Sequence, residues 1–102
     1  MTALLKQHKA ALNELCRRYG VLRLELFGSG ATGAFDPSRS DLDFLVEFGP
    51  DPQRDLFHRY FELQESLQKL FARKVDLVMV GAMKNPYFIE SVNKTRQLVY
   101  AA

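Results

Sequence analysis

The stretch Asp41-Leu42-Asp43-Phe44-Leu45-Val46-Glu47-Phe48 decides the fold class. Successive side chains of a strand point to opposite faces. Leu42, Phe44, Val46 and Phe48 therefore share one face, and Asp41, Asp43, Leu45 and Glu47 share the other. Phe44-Leu45-Val46 is apolar on both faces, which predicts a well-buried strand with two carboxylates at its entrance. The stretch Gly49-Pro50-Asp51-Pro52 ends it, because proline cannot donate to a sheet ladder.

Upstream, Leu22, Leu24 and Leu26 alternate with Arg23 and Glu25, which predicts a second strand beginning at Val21. Before it, Leu4, Leu5, His8, Ala11, Leu12, Leu15, Cys16 and Tyr19 recur at spacings of three and four, one stripe of an amphipathic helix that Gly20 stops. Gly28, Ser29, Gly30 and Gly33 break the strand pattern, and Asp36-Pro37 marks a turn. Downstream, Leu56, Tyr60, Leu63, Leu67 and Leu70 form the stripe of a long helix, widened by Phe57, Phe61 and Phe71. Residues 74–80 alternate as a third strand, with Val75, Leu77 and Met79 opposite Asp76, Val78 and Val80. Asn85-Pro86 reads as an N-cap and first helical position, ahead of a short helix whose apolar face is Phe88, Ile89 and Val92. Residues 98–100 suit a last short strand. This order of helices and strands predicts an α/β (α+β) sheet domain, with residues 1–102 as one unit.

Composition narrows the function classes. Apolar residues make up 47% and charged residues 25%, ordinary for a globular domain. The formal net charge of +2, with no basic recognition helix, argues against a DNA-binding regulator. Cys16 is the one cysteine and has no internal disulfide partner. No apolar run approaches a membrane span, and the N-terminal residues do not read as a signal peptide, so a cytoplasmic protein is expected. His8 and His58 fall on helices outside any metal-ligand spacing. Cys16 reads as a small core hydrophobe.

Three features carry chemistry. Gly28-Ser29 follows an apolar strand, where glycine permits positive φ and close approach, successive N–H groups can form an anion site, and the serine hydroxyl adds a donor. A plain turn between two elements is the competing reading. Asp41 and Asp43, at i and i+2 of a strand, sit on one face about 6.5 to 7 Å apart along the chain. Like charges so placed repel unless a cation joins them, and Mg²⁺ prefers carboxylate and phosphate oxygens; the alternative is a solvated strand start. Asp76 lies in an otherwise apolar strand, a costly place unless it is paired, with Arg73 or Lys74 for example, or bound to metal. Together the three predict a phosphoryl-transfer constellation, with two metal ions clamping the attacking and leaving oxygens.

Leu26-Phe27-Gly28-Ser29, Ser40-Asp41-Leu42-Asp43-Phe44-Leu45-Val46 and Val75-Asp76-Leu77-Val78, in this order and spacing, resemble the minimal nucleotidyltransferases of the DNA polymerase β superfamily. The resemblance runs from about Leu15 to the C-terminus. It implies a polymerase β-like fold, a small mixed β-sheet flanked by helices. It implies triphosphate binding at Gly28 and Ser29, and catalytic and Mg²⁺-binding roles for Asp41, Asp43 and Asp76. Many members of the family are antitoxins paired with a HEPN-family toxin, and some transfer AMP from ATP to a tyrosine of that toxin. The expected activity is thus metal-dependent transfer of a nucleoside monophosphate, AMP from ATP, to a hydroxyl on such a partner. The alternative is a non-catalytic antitoxin that neutralises its partner by complex formation. One position departs from the family turn Gly-Ser-x-Ala-Arg-Gly: Thr32 stands where the arginine would, with Arg39 or Lys74 as candidates to supply the missing cation.

Overall fold

The computed structural model describes residues 3–32 and 41–102. The predicted buried strand is β2 (Leu42–Phe48), second in a four-stranded sheet of order β3-β2-β1-β4, with β1 at Val21–Phe27, β3 at Val75–Met79 and β4 at Gln97–Ala101. β1 is antiparallel to both β2 and β4, whereas β2 and β3 run parallel. The parallel pair follows from the connection, since parallel neighbours need a crossover long enough to hold a helix. That helix is α3 (Leu56–Phe71). The sheet is therefore mixed and flanked by helices, as expected.

The main core lies on the face carrying Leu42, Phe44 and Val46, which are fully buried. Two N-terminal segments, α1 (Ala3–Gln7) and α2 (Lys9–Arg18), pack there with α3. The single N-terminal helix read from the sequence is interrupted at His8, whose backbone leaves helical geometry (φ −109°, ψ 18°). The His8 carbonyl still accepts from Leu12 N–H at 2.9 Å, so Leu5, Leu12 and Cys16 stay on one buried stripe. The His8 ring meets Phe71 edge-on at 5.6 Å.

Two bulges set which strand residues face the core, and the first corrects the reading of Leu22. Between β1 and β2 the register passes from Val21↔Phe48 to Arg23↔Glu47, leaving Leu22 as an extra residue. Val21 consequently enters the core at 2% exposure and Leu22 is 44% exposed. A second shift, against β4, leaves Val99 between the partners of Leu24 and Glu25; Val99 is buried and Leu98 is not.

The stripe of α3 is also rotated from the predicted one. The buried row is Arg59, Leu63, Leu67 and Phe71, while Leu56, Phe57 and Phe61 are exposed. The adjacent row explains the rotation. Tyr60 Oη donates to Leu77 O, Gln64 Nε2 donates to Val75 O at 3.0 Å, and Val75 N–H donates to Gln68 Oε1 at 3.2 Å. These three side chains, one helical turn apart, cover backbone groups on the outer edge of β3. An unpaired edge would otherwise template pairing with another chain. Running this polar row along the edge carries the aromatic side of the helix beyond the sheet.

Arg59 is 3% exposed and was not predicted as an inward residue. Its Nε and Nη2 donate to Tyr19 O and Gly20 O, each at 3.0 Å, and its guanidinium lies 4.9 Å from the Phe48 ring centroid. It thus satisfies carbonyls at the end of α2, where the helix leaves acceptors without partners. Gly20 adopts φ +67°, and a Cβ there would stand 2.6 Å from Arg59 Nη2. Both conformation and space require glycine. Replacing Arg59 with Ala removes a buried donor pair and its ring contact and leaves carbonyls unmet. We expect a loss of about 2–3 kcal/mol in urea unfolding, with Arg59→Lys intermediate.

Candidate active site

The opposite face of the sheet is only partly covered. α4 (Pro86–Thr95) begins as predicted, with Asn85 Oδ1 accepting from Tyr87 N–H and Phe88 N–H, and Pro86 at the first turn. Val92 packs with Phe27 and Leu45 in a small second core. Phe88, expected inside, is 38% exposed, with its ring edge-on to Phe27 at 5.9 Å. An open cleft beside α4 is lined by Phe27, Asp43, Tyr60, Gln64, Asp76 and Phe88.

Three strand ends meet at this cleft. In the parallel pair Asp43 faces Asp76 directly across the register. Antiparallel β1 brings Phe27 opposite Asp43 and so delivers the turn after it to the same level. Gly28 takes φ +72°, and a Cβ on it would lie 2.7 Å from Asp43 Oδ2. The turn therefore closes onto the carboxylate in a way only glycine allows. A short 3₁₀ segment runs over Gly28–Ala31, with Thr32 N–H and Oγ1 donating to Ser29 O at 3.2 and 3.3 Å. Gly28 N–H donates to Thr95 Oγ1 at 2.9 Å, so in this state it serves the fold and does not face the cleft as an anion donor.

The carboxylates are electrostatically linked. Asp43 is pushed up to about 6, chiefly by burial, then by a hydrogen bond with the Asp76 side chain and the charges of Asp76 and Asp41; Lys74 acts in the opposite sense. Lys74 Nζ, one of the two basic partners expected for the lone carboxylate, lies 3.9 Å from Asp76 Oδ1. Asp41 is exposed, just ahead of β2, and its charge reaches Asp43. The Tyr60 hydroxyl is raised by burial and by Asp76. Asp43 and Asp76 are thus joined, with Asp41 at the rim. Among the described residues no group of three His, Cys, Asp or Glu is arranged to hold a metal ion. Two carboxylate side chains facing each other from adjacent strands suit a hard divalent cation nonetheless, because Mg²⁺ commonly takes one or two protein carboxylates and completes its shell with water and substrate phosphates. Gly33 and Arg39, named from the sequence, lie outside the described residues.

Other expectations resolve simply. Cys16 is fully buried, its thiol pushed up to about 12 by burial, an inert core position. His58 Nδ1 pairs with Asp55 Oδ2 at 2.7 Å beside the α3 N-cap, away from the cleft. Tyr60, Gln64 and Thr95 were not singled out as site residues. The first two carry a readable signal, a polar row at helical spacing. Thr95, at the far end of another helix, carries none.

Residues 8–99 match the family model of the nucleotidyltransferase domain. The chain is 39% identical over 97 residues to a provisionally named protein adenylyltransferase of Methanocaldococcus jannaschii, covering 95% of this chain and 90% of that one. It is 35% identical over 100 residues to the protein adenylyltransferase MntA of Thermococcus cleftensis, covering 96% and 89%. A solved structure described as a provisional minimal nucleotidyltransferase superposes with a TM-score of 0.70 at 31% identity, over 91% of this chain and 90% of that one. The fold is shared, at 18% identity and a TM-score of 0.65 over 95% and 72%, with a chain of the tri-AMPylated Shewanella oneidensis HEPN toxin in complex with MNT antitoxin. Fold and sequence together define a nucleotidyltransferase. The chain belongs to the minimal nucleotidyltransferase family.

The linked carboxylates set a pH dependence of stability. An acid whose folded value lies above its usual 3.8 binds more protons folded than unfolded. Its ionisation therefore costs stability as pH rises from 3.8 to about 6, and the cost is constant above that. In metal-free buffer Asp43→Asn should gain on the wild type across this window. The gain should reach about 1–2 kcal/mol above pH 6, allowing for partial solvent screening. Urea unfolding at pH 4, 5 and 7 reads it; a gap independent of pH would disprove the linkage.

Proposed function

We propose that this nucleotidyltransferase transfers AMP from ATP to a protein hydroxyl, with Mg²⁺ bound at Asp41, Asp43 and Asp76, and that its acceptor is a HEPN-family partner. The observation that carries the reading is the Asp43–Asp76 register pair beneath the Gly28-Ser29 turn. The names of the two relatives support protein as the acceptor class, and the AMPylated complex of the fold neighbour supports the kind of partner. An ATP donor suits the cytoplasmic location expected from the sequence.

The chain's own residues divide the work. Mg²⁺, when bound, neutralises phosphate charge and orients the triphosphate. Asp43 and Asp76 would supply its oxygen ligands from adjacent strands, and Asp41 would add a third carboxylate from the rim. The Ser29 hydroxyl donates to a phosphate oxygen. The acceptor oxygen forms its bond to the α-phosphorus as the bond to pyrophosphate breaks, and its proton passes to Asp76 as general base. Lys74, beside Asp76, would offset phosphate charge where the family arginine is replaced by Thr32.

The exposed apolar surface of Leu56, Phe57, Phe61 and Val80 supports a protein partner, and by itself would serve the reading of a non-catalytic antitoxin equally well. A double variant separates the two. Asp41→Asn with Asp43→Asn is nearly isosteric and should fold and still bind the partner. Label transfer from α-labelled ATP with Mg²⁺ to a cognate HEPN-family protein should fall by about a hundredfold or more. The thermal shift given by millimolar ATP and Mg²⁺ should largely vanish. If the double variant neutralises the partner as well as the wild type at substoichiometric dose, the catalytic reading is overturned.

A further inference from the structure

The end of α4 is fastened to β1 by contacts that the reaction scheme does not use. Val92, 1% exposed, packs on Phe27 and Leu45. Thr95 Oγ1 accepts from Gly28 N–H at 2.9 Å, across 67 residues of sequence. Arg96 donates from Nε to Glu25 Oε2 at 2.6 Å and from Nη2 to Glu25 Oε1 at 2.8 Å, and from Nη1 to Asn93 Oδ1 at 2.7 Å. Glu25 is 3% exposed, also accepts from Arg23 Nε at 2.7 Å, and is held below the usual carboxylate range chiefly by its hydrogen bonds to Arg96. Bidentate pairing of this kind fixes orientation as well as distance.

A buried carboxylate with this much support has a structural use, and the geometry indicates which. Glu25 precedes Phe27 by one step along the same sheet face, and Phe27 leads into Gly28. The Arg96 clamp sets the last turn of α4 over this strand, which brings the Thr95 hydroxyl to the Gly28 amide. Threonine within a helix commonly turns its hydroxyl back to its own helix carbonyls; here the oxygen accepts from a distant turn. Gly28 in turn is packed against Asp43, with no room for a Cβ. Any rotation of the Gly28 peptide therefore moves Ser29 relative to the carboxylate.

We propose that Thr95 is a positioning residue: its hydroxyl, held in place by the Glu25–Arg96 pair, fixes the Gly28 peptide and thereby sets the phosphate-binding turn against Asp43. It touches no substrate and acts through Gly28. The consequence for nucleotide rests on the reading of Gly28-Ser29 as the triphosphate turn; the consequence for Gly28 itself does not.

The test compares Thr95→Val, which keeps the shape and removes the acceptor, with Thr95→Ser, which keeps it, and uses Thr95→Ala should valine pack poorly. Hydrogen exchange of the Gly28 amide, read by NMR without ligand, should speed up at least tenfold in the valine and alanine variants and stay near wild type in serine. ATP with Mg²⁺, titrated onto each protein, should bind about tenfold more weakly to Thr95→Val, with serine within about twofold of wild type. Glu25→Gln should give a smaller change in the same direction. Unchanged Gly28 exchange in Thr95→Val overturns the proposal, as does faster exchange with undiminished ATP affinity. If the wild type itself binds no ATP, the triphosphate reading fails, and the exchange comparison alone then decides whether Thr95 holds the turn.

Discussion

Parallel pairing of β2 with β3 in the register Asp43↔Asp76 is the constraint from which the site follows. Neighbouring strands lie about 4.8 Å apart, and side chains at one register level share a face. Two carboxylates at the same level of adjacent strands are thereby forced together, whatever their own preference. Nothing local at either aspartate favours this; burial first, and then their mutual repulsion, raise Asp43 and oppose it. The apolar residues alternating with them overcome that repulsion: Leu42, Phe44 and Val46 on one strand, Val75 and Leu77 on the other, all in the core. A slip of one residue would put the aspartates in the core and the leucines in the cleft.

The helices divide their tasks around this pair. α3 supplies both the crossover that makes β2 and β3 parallel and, through Tyr60, Gln64 and Gln68, the cover for the outer edge of β3. Because that edge is satisfied by side chains, the strand bearing Asp76 is fixed without a fifth strand, and the cleft beside it stays open. α4 covers the other part of the face, over β1, and its last turn reaches the glycine turn. The open cleft is what remains between them. Its walls are aromatic, Phe27, Phe88 and Tyr60, and its floor is acidic.

Where the sequence misled, the cause was an interaction that local pattern cannot carry. Leu22 has the right alternation for the core, and a bulge opposite Phe48 turns it out. Phe57 and Phe61 widen the apolar stripe of α3, yet the polar row of that helix is taken up by the β3 edge and leaves them in solvent. Arg59 looks like a solvent residue and is buried, because the end of α2 presents carbonyls that need a donor. The free donors expected of the Gly28-Ser29 turn include one, Gly28 N–H, already engaged by Thr95.

The sequence by itself determined which segments are strands and helices, through periods of two and of three to four, and which residue types could serve phosphate chemistry. It also led to the expectation that Asp41 and Asp43 share a face, although β2 begins at Leu42 and leaves Asp41 exposed just ahead of it. The tertiary structure alone decided that Asp76, more than thirty positions further on, faces Asp43 and no other residue of β2; that Gly28 packs on the same carboxylate; and that Lys74, Tyr60 and Thr95 stand near them. The physical reason is the range of the forces involved. Alternation and capping act within a few residues and are written along the chain, whereas register between distant strands is set by how two apolar faces fit one core.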